Sequence, residues 1–142
     1  MKVSIRQMVF ETNSSSVHSC SICTEDTYRK FNDGEFWYKA EEDSYLPVNE
    51  AIEFNLNYIK ENYTDMTEDE FAKFSEVYRR EKNFYDAFDA IDWEYNKWDI
   101  DSYDIYMSND DYWDYHEYED WSHYFKDTAG VDMVAWGYCG HD

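Results

Sequence analysis

The segment Val131-Asp132-Met133-Val134-Ala135-Trp136-Gly137-Tyr138, near the carboxyl end of the chain, predicts the strand that decides the fold. Its β-branched and aromatic residues are typical of extended structure. At the other end, residues 2–10 begin with a period-two alternation that predicts a strand, and residues 17–23 are predicted to form a second short strand. We therefore expect strands at both ends, paired in a small antiparallel sheet that holds the two termini together.

The sequence between these strands predicts amphipathic helices. The clearest signal is Thr67-Glu68-Asp69-Glu70, a capping box in which Met66 and Phe71 occupy hydrophobic-staple positions. Thr24 is predicted to cap a short helix, and Asn49 to cap a helix with a single apolar stripe. The stripe consists of Ile52, Leu56, Ile59 and Tyr63.

Two further helices are predicted where apolar residues recur three or four positions apart. The first covers residues 84–98 and the second residues 109–125, while residues 35–39 and 98–101 have the character of strands. Gly and Pro are scarce (4 and 1), so the chain offers little for flexible linkers. We expect one α+β domain over residues 1–142, with three to five amphipathic helices between the terminal strands.

The charge of the chain restricts its partners. Among 142 residues, 33 are acidic and 12 are Lys or Arg, which gives a net charge of −21. Such a chain does not bind a nucleic-acid backbone directly, and it favours a basic partner. No apolar run is long enough to cross a bilayer, and the first ten residues lack the apolar region of a signal peptide. We expect a cytoplasmic protein without a membrane partner.

Acidic and aromatic residues are concentrated together between residues 84 and 127. This segment holds 14 Asp or Glu against only Lys97 and Lys126, and it also carries 15 aromatic residues. Acid alone predicts an unfolded tail, whereas acid interleaved with aromatics predicts a folded body with carboxylates on a stiff surface. The predicted partner-binding residues are Asp99, Asp101, Asp104, Asp110, Asp111, Asp114, Glu117, Glu119 and Asp120.

These acids are predicted to form rows. In a helix over residues 109–125, Asp110, Asp114 and Glu117 share one face, with Asp111 and Asp120 beside them. In a strand, alternate residues such as 99 and 101 lie roughly 7 Å apart, close to the phosphate spacing of a nucleic-acid strand. Such rows can occupy Lys and Arg sites made for phosphates. The alternative is an acidic face that is merely solvated.

Two segments suggest metal sites. Asp99-x-Asp101 begins like a calcium-binding EF-hand loop, but Tyr103 and Asp104 stand at its fifth and sixth positions, where a ligand and a glycine belong. The second candidate is structural zinc. If the terminal strands pair, four residues can meet in a tetrahedral site, with His18 as a substitute ligand. They are Cys20, Cys23, Cys139 and His141. The alternative is a set of three buried or idle thiols.

The sequence shows no sign of catalysis. Ser14, Ser15 and Ser16 lie near His18, but no nucleophile elbow, oxyanion loop or phosphate-binding glycine loop is present. His116 and His123, within the acidic segment, are interpreted as surface residues or packing partners of aromatics. We expect a protein that is not an enzyme.

Both ends of the chain resemble one group of proteins. The segment Val9-Phe10-Glu11-Thr12-Asn13-Ser14-Ser15-Ser16-Val17-His18-Ser19 is similar to the opening of small proteins of phages and mobile elements of Gram-positive bacteria. Val134-Ala135-Trp136-Gly137-Tyr138, leading to Gly140, resembles their ending. The resemblance implies a phage-type setting and assigns no functional residues.

Two functions remain open at this point. A small, acidic, intracellular phage-type protein is comparable, by charge and setting, to DNA-mimicking anti-CRISPR and anti-restriction proteins. On that hypothesis the acidic surface occupies the DNA- or RNA-binding channel of a basic host effector complex. The alternative is a non-enzymatic structural or regulatory module, with or without a zinc staple, that binds proteins through exposed aromatics.

Overall fold

The structure is a computed structural model that describes residues 8–11, 16–93, 100, 104–115 and 119–141, with side chains for residues 20–93, 100, 104–112 and 120–138. It has the α+β fold that the sequence predicts. In chain order the elements are β1 (Met8–Glu11), β2 (Ser16–Thr24), α1 (Glu25–Asn32), β3 (Phe36–Lys39), β4 (Ser44–Pro47), α2 (Val48–Asn62), α3 (Glu68–Glu81), α4 (Phe84–Ala90), α5 (Asn109–Tyr115), β5 (Glu119–Lys126) and β6 (Asp132–His141).

A four-stranded antiparallel sheet joins the two ends of the chain, in the order β1-β2-β6-β5. Strand β6 is central and pairs with β2, which places Ser21 opposite Trp136 and Cys23 opposite Val134. The prediction that the terminal strands pair with each other is therefore confirmed. The second sheet is the hairpin of β3 and β4, to which Met107 adds an isolated bridge opposite Tyr38.

One face of the four-stranded sheet packs on an aromatic core. Trp136 is fully buried, and its ring lies 5.2 Å from that of Phe31 in α1 and 4.9 Å from that of Tyr38 in β3. The Trp136 indole N–H donates to the Tyr45 hydroxyl at 2.7 Å. We call this set the sheet cluster; its buried members are Cys23, Phe31, Tyr38, Ala40, Tyr112, Val134, Trp136 and Tyr138.

A second core lies among α2, α3 and α4. The predicted stripe of α2 is buried at Ile52, Leu56 and Ile59, and these residues pack with Phe74 and Phe88. Met107 is packed against both clusters, so the two cores adjoin. No helix in the described part of the chain is long and apolar enough to cross a bilayer.

Several element predictions need correction. Residues 109–125 form two elements, because α5 ends at residue 115 and residues 119–126 are strand β5. Helix α4 stops at residue 90, where the left-handed backbone of Asp92 (φ 58°) follows. Helix α2 begins after Pro47 without a side-chain cap, so the predicted Asn49 cap is wrong. Strand β4 was not predicted. The predicted strand over residues 98–101 and the start of the predicted amino-terminal strand lie outside the described residues.

Candidate partner-binding surface

The described acidic side chains stand on the outside of the molecule. All of them are exposed except Asp43, Glu70 and Asp104, which are half-buried. Their exposure follows from the cost of removing a carboxylate from water without a partner. The described part of the chain therefore presents most of its negative charge to solvent.

Asp110 and Asp111 lie in the first turn of α5, which is held in place by buried and hydrogen-bonded neighbours. Both are exposed, while the next residue, Tyr112, is buried in the sheet cluster. The backbone amide of Asp111 donates to the Ser108 hydroxyl at 3.1 Å. The side-chain amide of Asn109 donates to the side-chain oxygen of Asn32, at the end of α1, at 3.0 Å. Carboxylates in a first turn also favour the helix itself, because they oppose its positive end.

Asp120 reaches the surface from a different element. It lies in β5 opposite Tyr138 of β6, and residues opposite each other in an antiparallel pair share a face of the sheet. Tyr138 is buried in the sheet cluster, and its ring lies 6.5 Å from that of Tyr112 in α5. The same aromatic cluster therefore supports both the first turn of α5 and the strand that carries Asp120.

The predicted acid row is only partly described. Asp99, Asp101 and Glu117 lie outside the described residues, and Asp114 and Glu119 are placed by their backbone alone, in α5 and β5. Positions 110 and 114 keep the helical spacing of four. The prediction that Asp120 lies beside this row on the same helix is wrong, because Asp120 belongs to strand β5.

The ion pairs of the described residues do not include Asp110 or Asp120. They involve Arg29, Lys30, Lys39, Arg79, Arg80 and Lys126. Their acidic partners lie on other elements, for example Glu53, which holds Arg79 at 2.7 Å. Within the described residues, no basic side chain is at ion-pair distance from Asp110 or Asp120.

Helix α4 carries acids that the predicted site did not include. Asp86 and Asp89 are three positions apart in this helix, Asp92 follows after another three, and all three side chains are exposed. Their spacing in the sequence is the same signal that selected the row in α5. The predicted site omitted them because it started from the densest run of acids, after residue 98.

A shallow groove with a mostly polar lining, in which two tyrosines stand, lies between α1 and β5. Tyr124 is 55% exposed and Val131 44% exposed, and together with Tyr28 they line the groove. The rings of Tyr28 and Tyr124 meet edge to face at 6.3 Å. The sequence did not single out this groove, because it depends on the strand assignment of residues 119–126.

Strand geometry separates two of the predicted zinc ligands, Cys20 and Cys23, whereas His18, the predicted substitute ligand, lies opposite Cys139 in the register of β2 and β6. Cys20 lies opposite Met8 of β1, whereas Cys23 lies opposite Val134 of β6. Residues three positions apart in a strand point to opposite faces, so these two thiols do not form one half-site. Burial raises the pKa of the Cys23 thiol.

No group of three or more His, Cys, Asp or Glu side chains in the described residues is arranged to hold a metal ion. The side chains of Cys139 and His141 lie outside that part of the structure, so zinc binding stays a prediction. The metal content of the purified protein tests it, since structural zinc survives purification and is lost to a chelator.

A buried polar chain links β2 to the turn of the β3–β4 hairpin. The Tyr38 hydroxyl lies 2.6 Å from the Ser21 hydroxyl and donates to the Asp43 carboxylate at 2.9 Å. Burial raises the pKa of Asp43, although the hydrogen bond from Tyr38 opposes the shift. The backbone of Asp43 is left-handed (φ 48°), a conformation that Asp and Asn tolerate better than most residues.

Comparisons of this chain with protein-family models, with curated protein sequences and with solved structures found no match.

Proposed function

We propose that this protein is a phage-type inhibitor of a host defence nuclease complex, of the anti-CRISPR or anti-restriction kind, that acts in the host cytoplasm. Its acidic surface occupies the basic DNA- or RNA-binding channel of the complex and excludes the nucleic acid. The inhibitor itself needs no catalytic group.

One observation carries the proposal: exposed carboxylates without a cationic neighbour among the described residues stand on elements that are well packed below them. Asp110 and Asp120 are exposed and have no cationic neighbour among the described residues, while the elements below them are fixed by the sheet cluster. Nucleic-acid sites are lined with Lys and Arg that bind phosphate oxygens. A rigid set of carboxylates gains the same charge pairing without paying to order a flexible tail.

The proposal is tested with purified CRISPR and restriction complexes by measuring their binding to a labelled DNA duplex while this protein is titrated in. Inhibition is expected to be competitive with DNA and to weaken steeply between 50 and 200 mM salt, since both ligands depend on the same charges. If DNA does not compete with the inhibitor, or if salt does not change the inhibition, the proposed nucleic-acid mimicry is wrong.

A matched pair of triple variants locates the surface. Changing Asp110, Asp111 and Asp120 to Lys is expected to abolish inhibition. Changing Glu50, Glu61 and Glu76 to Lys makes the same change in net charge on exposed positions of α2 and α3, and is expected to retain most of it. Equal effects of the two variants would show that only total charge matters.

The alternative function is a phage structural or regulatory module that binds a protein through exposed aromatics. The groove between α1 and β5 favours it, because Tyr124 is exposed there beside Tyr28. On this alternative, Tyr124→Ala abolishes partner binding and the Asp-to-Lys triple variant does not. Tyr85→Ala is the control, since Tyr85 is similarly exposed (46%) but lies on α4.

A further inference from the structure

Strand β5 forms one edge of the four-stranded sheet, and its open side is unusually well suited to pairing. All eight of its residues are in continuous register with β6, without a bulge. Within the described residues no strand pairs with its other side. Monomeric proteins protect such edges with prolines, bulges, short strands or charges that point inward. β5 has no proline or bulge and is eight residues long. Its charged Asp120 and Lys126 lie on the face of the buried Trp136 but near the two ends of the strand, so residues 121–125 between them carry no Asp, Glu, Lys or Arg.

The side chains of β5 divide into two kinds across the sheet. Asp120, Ser122, Tyr124 and Lys126 lie opposite residues that share the face of Trp136. The remaining positions lie on the other face, where Trp121 and Phe125 are half-buried and the His123 and Phe125 rings stack at 6.2 Å. The strand therefore has a polar row with unlike charges at its two ends, and an aromatic row.

These rows are complementary to themselves. When two copies of an edge strand pair antiparallel about a two-fold axis perpendicular to the sheet, each face meets the same face of the other copy. Odd-numbered residues of one copy then lie opposite odd-numbered residues of the other, and even-numbered residues lie opposite even-numbered ones. With His123 at the axis, Asp120 lies opposite Lys126 of the other copy, and Trp121 lies opposite Phe125. Just beyond them, at the ends of the pairing, the acids Glu119 and Asp127 also lie opposite each other. Each of these contacts occurs twice by symmetry.

Neighbouring registers lack this match. With Ser122 at the axis, Asp120 lies opposite Tyr124 and Trp121 opposite His123. With Tyr124 at the axis, Trp121 lies opposite Asp127. Opposite charges and aromatic pairs directly across a strand pair are each stabilising, so the register centred on His123 is favoured over both.

We propose that β5 is a homodimer interface, in which two copies of this chain join edge to edge, centred on His123, into one continuous eight-stranded sheet. The area of a single edge contact is small, which is typical of weak and transient complexes. Repulsion between two chains of charge −21 opposes the contact and is long-range, so salt screens it more effectively than it screens the close ion pairs.

Analytical ultracentrifugation of the full chain, in reducing buffer over a wide range of concentrations, tests the proposal without any target protein. The sedimentation coefficient is expected to rise with protein concentration, and the dimer fraction to grow as NaCl is raised from 50 to 500 mM. This salt dependence is opposite to that of the proposed inhibition. A chain that stays monomeric at every concentration and salt overturns the dimer and leaves the proposed function untouched.

Charge swaps test the register. Asp120→Lys and Lys126→Asp alone each place like charges across the axis, and each is expected to weaken dimerisation at least tenfold. The double variant restores opposite charges and is expected to recover it. Glu50→Lys, an exposed change of the same sign and size as Asp120→Lys, is expected to dimerise at least as well as the parent. Circular dichroism checks that each variant is folded. Single variants that dimerise like this control, or a double variant that does not recover, contradict the register.

Discussion

At the scale of single residues, Asn55 shows how a polar side chain can hold an apolar core together. It is fully buried in α2. Its amide nitrogen donates to the Tyr78 hydroxyl at 3.0 Å and to the Tyr106 carbonyl at 2.9 Å, and its oxygen accepts the Tyr106 amide at 2.9 Å. One side chain therefore fastens α2 to α3 and to the segment that precedes α5.

We predict that Asn55→Leu destabilises the protein by about 2–4 kcal/mol, because it leaves backbone groups of Tyr106 buried without partners. Urea unfolding followed by circular dichroism measures the loss. Asn57→Leu is the matched control: Asn57 is exposed on the same helix, and its replacement is expected to change stability by less than about 0.5 kcal/mol. Equal losses in the two variants would contradict this role for Asn55.

The ionisation of Asp43 makes the stability of the fold depend on pH. Its folded pKa is raised by burial above 3.8, so the folded state holds the proton more tightly than the unfolded state. Protonated Asp43 therefore favours folding, and this contribution falls as pH rises from 3.8 through the raised pKa. The ionised form of Asp43 therefore supports folding less well than the protonated form does.

Asp43→Asn is expected to remove this contribution while keeping an oxygen that accepts the Tyr38 hydroxyl and a residue that tolerates a positive φ. The variant should be at least as stable as the parent at pH 7, with an advantage that shrinks as pH is lowered toward 3.8. Urea unfolding at a series of pH values measures the difference, in which the other titrating groups cancel. An advantage that grows on acidification would show the opposite sign of shift.

At the scale of elements, α3 begins with the capping box that the sequence predicted. The Thr67 hydroxyl accepts the Glu70 amide at 3.1 Å, and Glu70 accepts the Thr67 amide at 2.9 Å. Glu70 also accepts the Trp93 indole N–H at 2.8 Å, which ties the segment that follows α4 to the start of α3. These bonds lower the pKa of Glu70, the Thr67 amide contributing most.

Thr67→Ala is predicted to cost about 1 kcal/mol, because the first turn of α3 loses its side-chain acceptor. The urea midpoint should fall with an unchanged slope, since the surface exposed on unfolding is the same. Thr64→Ala, in the exposed turn before the helix, should change stability by less than about 0.5 kcal/mol. A cost at Thr64 equal to that at Thr67 would argue against the cap.

The elements also show which parts of the fold the sequence could predict. Caps and stripes are local, so Thr24, the Thr67 box and the buried face of α2 could be predicted from residues a few positions apart. Strand β5 could not. Its aromatics at 121 and 125 are also spaced as in a helix, and only pairing with β6 makes it a strand. Of the candidate site, the exposure of Asp110, Asp111 and Asp120 was predicted, and their division between a helix and a strand was not.

In the whole molecule, the abundant aromatic residues and the abundant acidic residues occupy different regions. Aromatic rings fill both cores and contact one another, as in the stack of Tyr78 on Phe84 at 4.4 Å. The acids surround these cores on the surface. The cores supply apolar burial and ring contacts, which offset the mutual repulsion of the surface charges.

This arrangement predicts how the fold itself responds to salt. The described ion pairs are largely exposed, apart from the buried Lys39, so screening them costs little stability. Screening the repulsion among charges that sum to −21 gains more, because every acid on the surface contributes to it. The melting temperature should therefore rise by several degrees from 20 to 500 mM NaCl, which corresponds to about 1 kcal/mol for a chain of this size.

Replacing Glu50, Glu61, Glu76, Asp86 and Asp89 by their amides should raise the melting temperature in low salt and flatten its dependence on salt. If the parent melted lower in high salt, its ion pairs would outweigh the repulsion, and the surface would not be the uncompensated one that the proposed function requires.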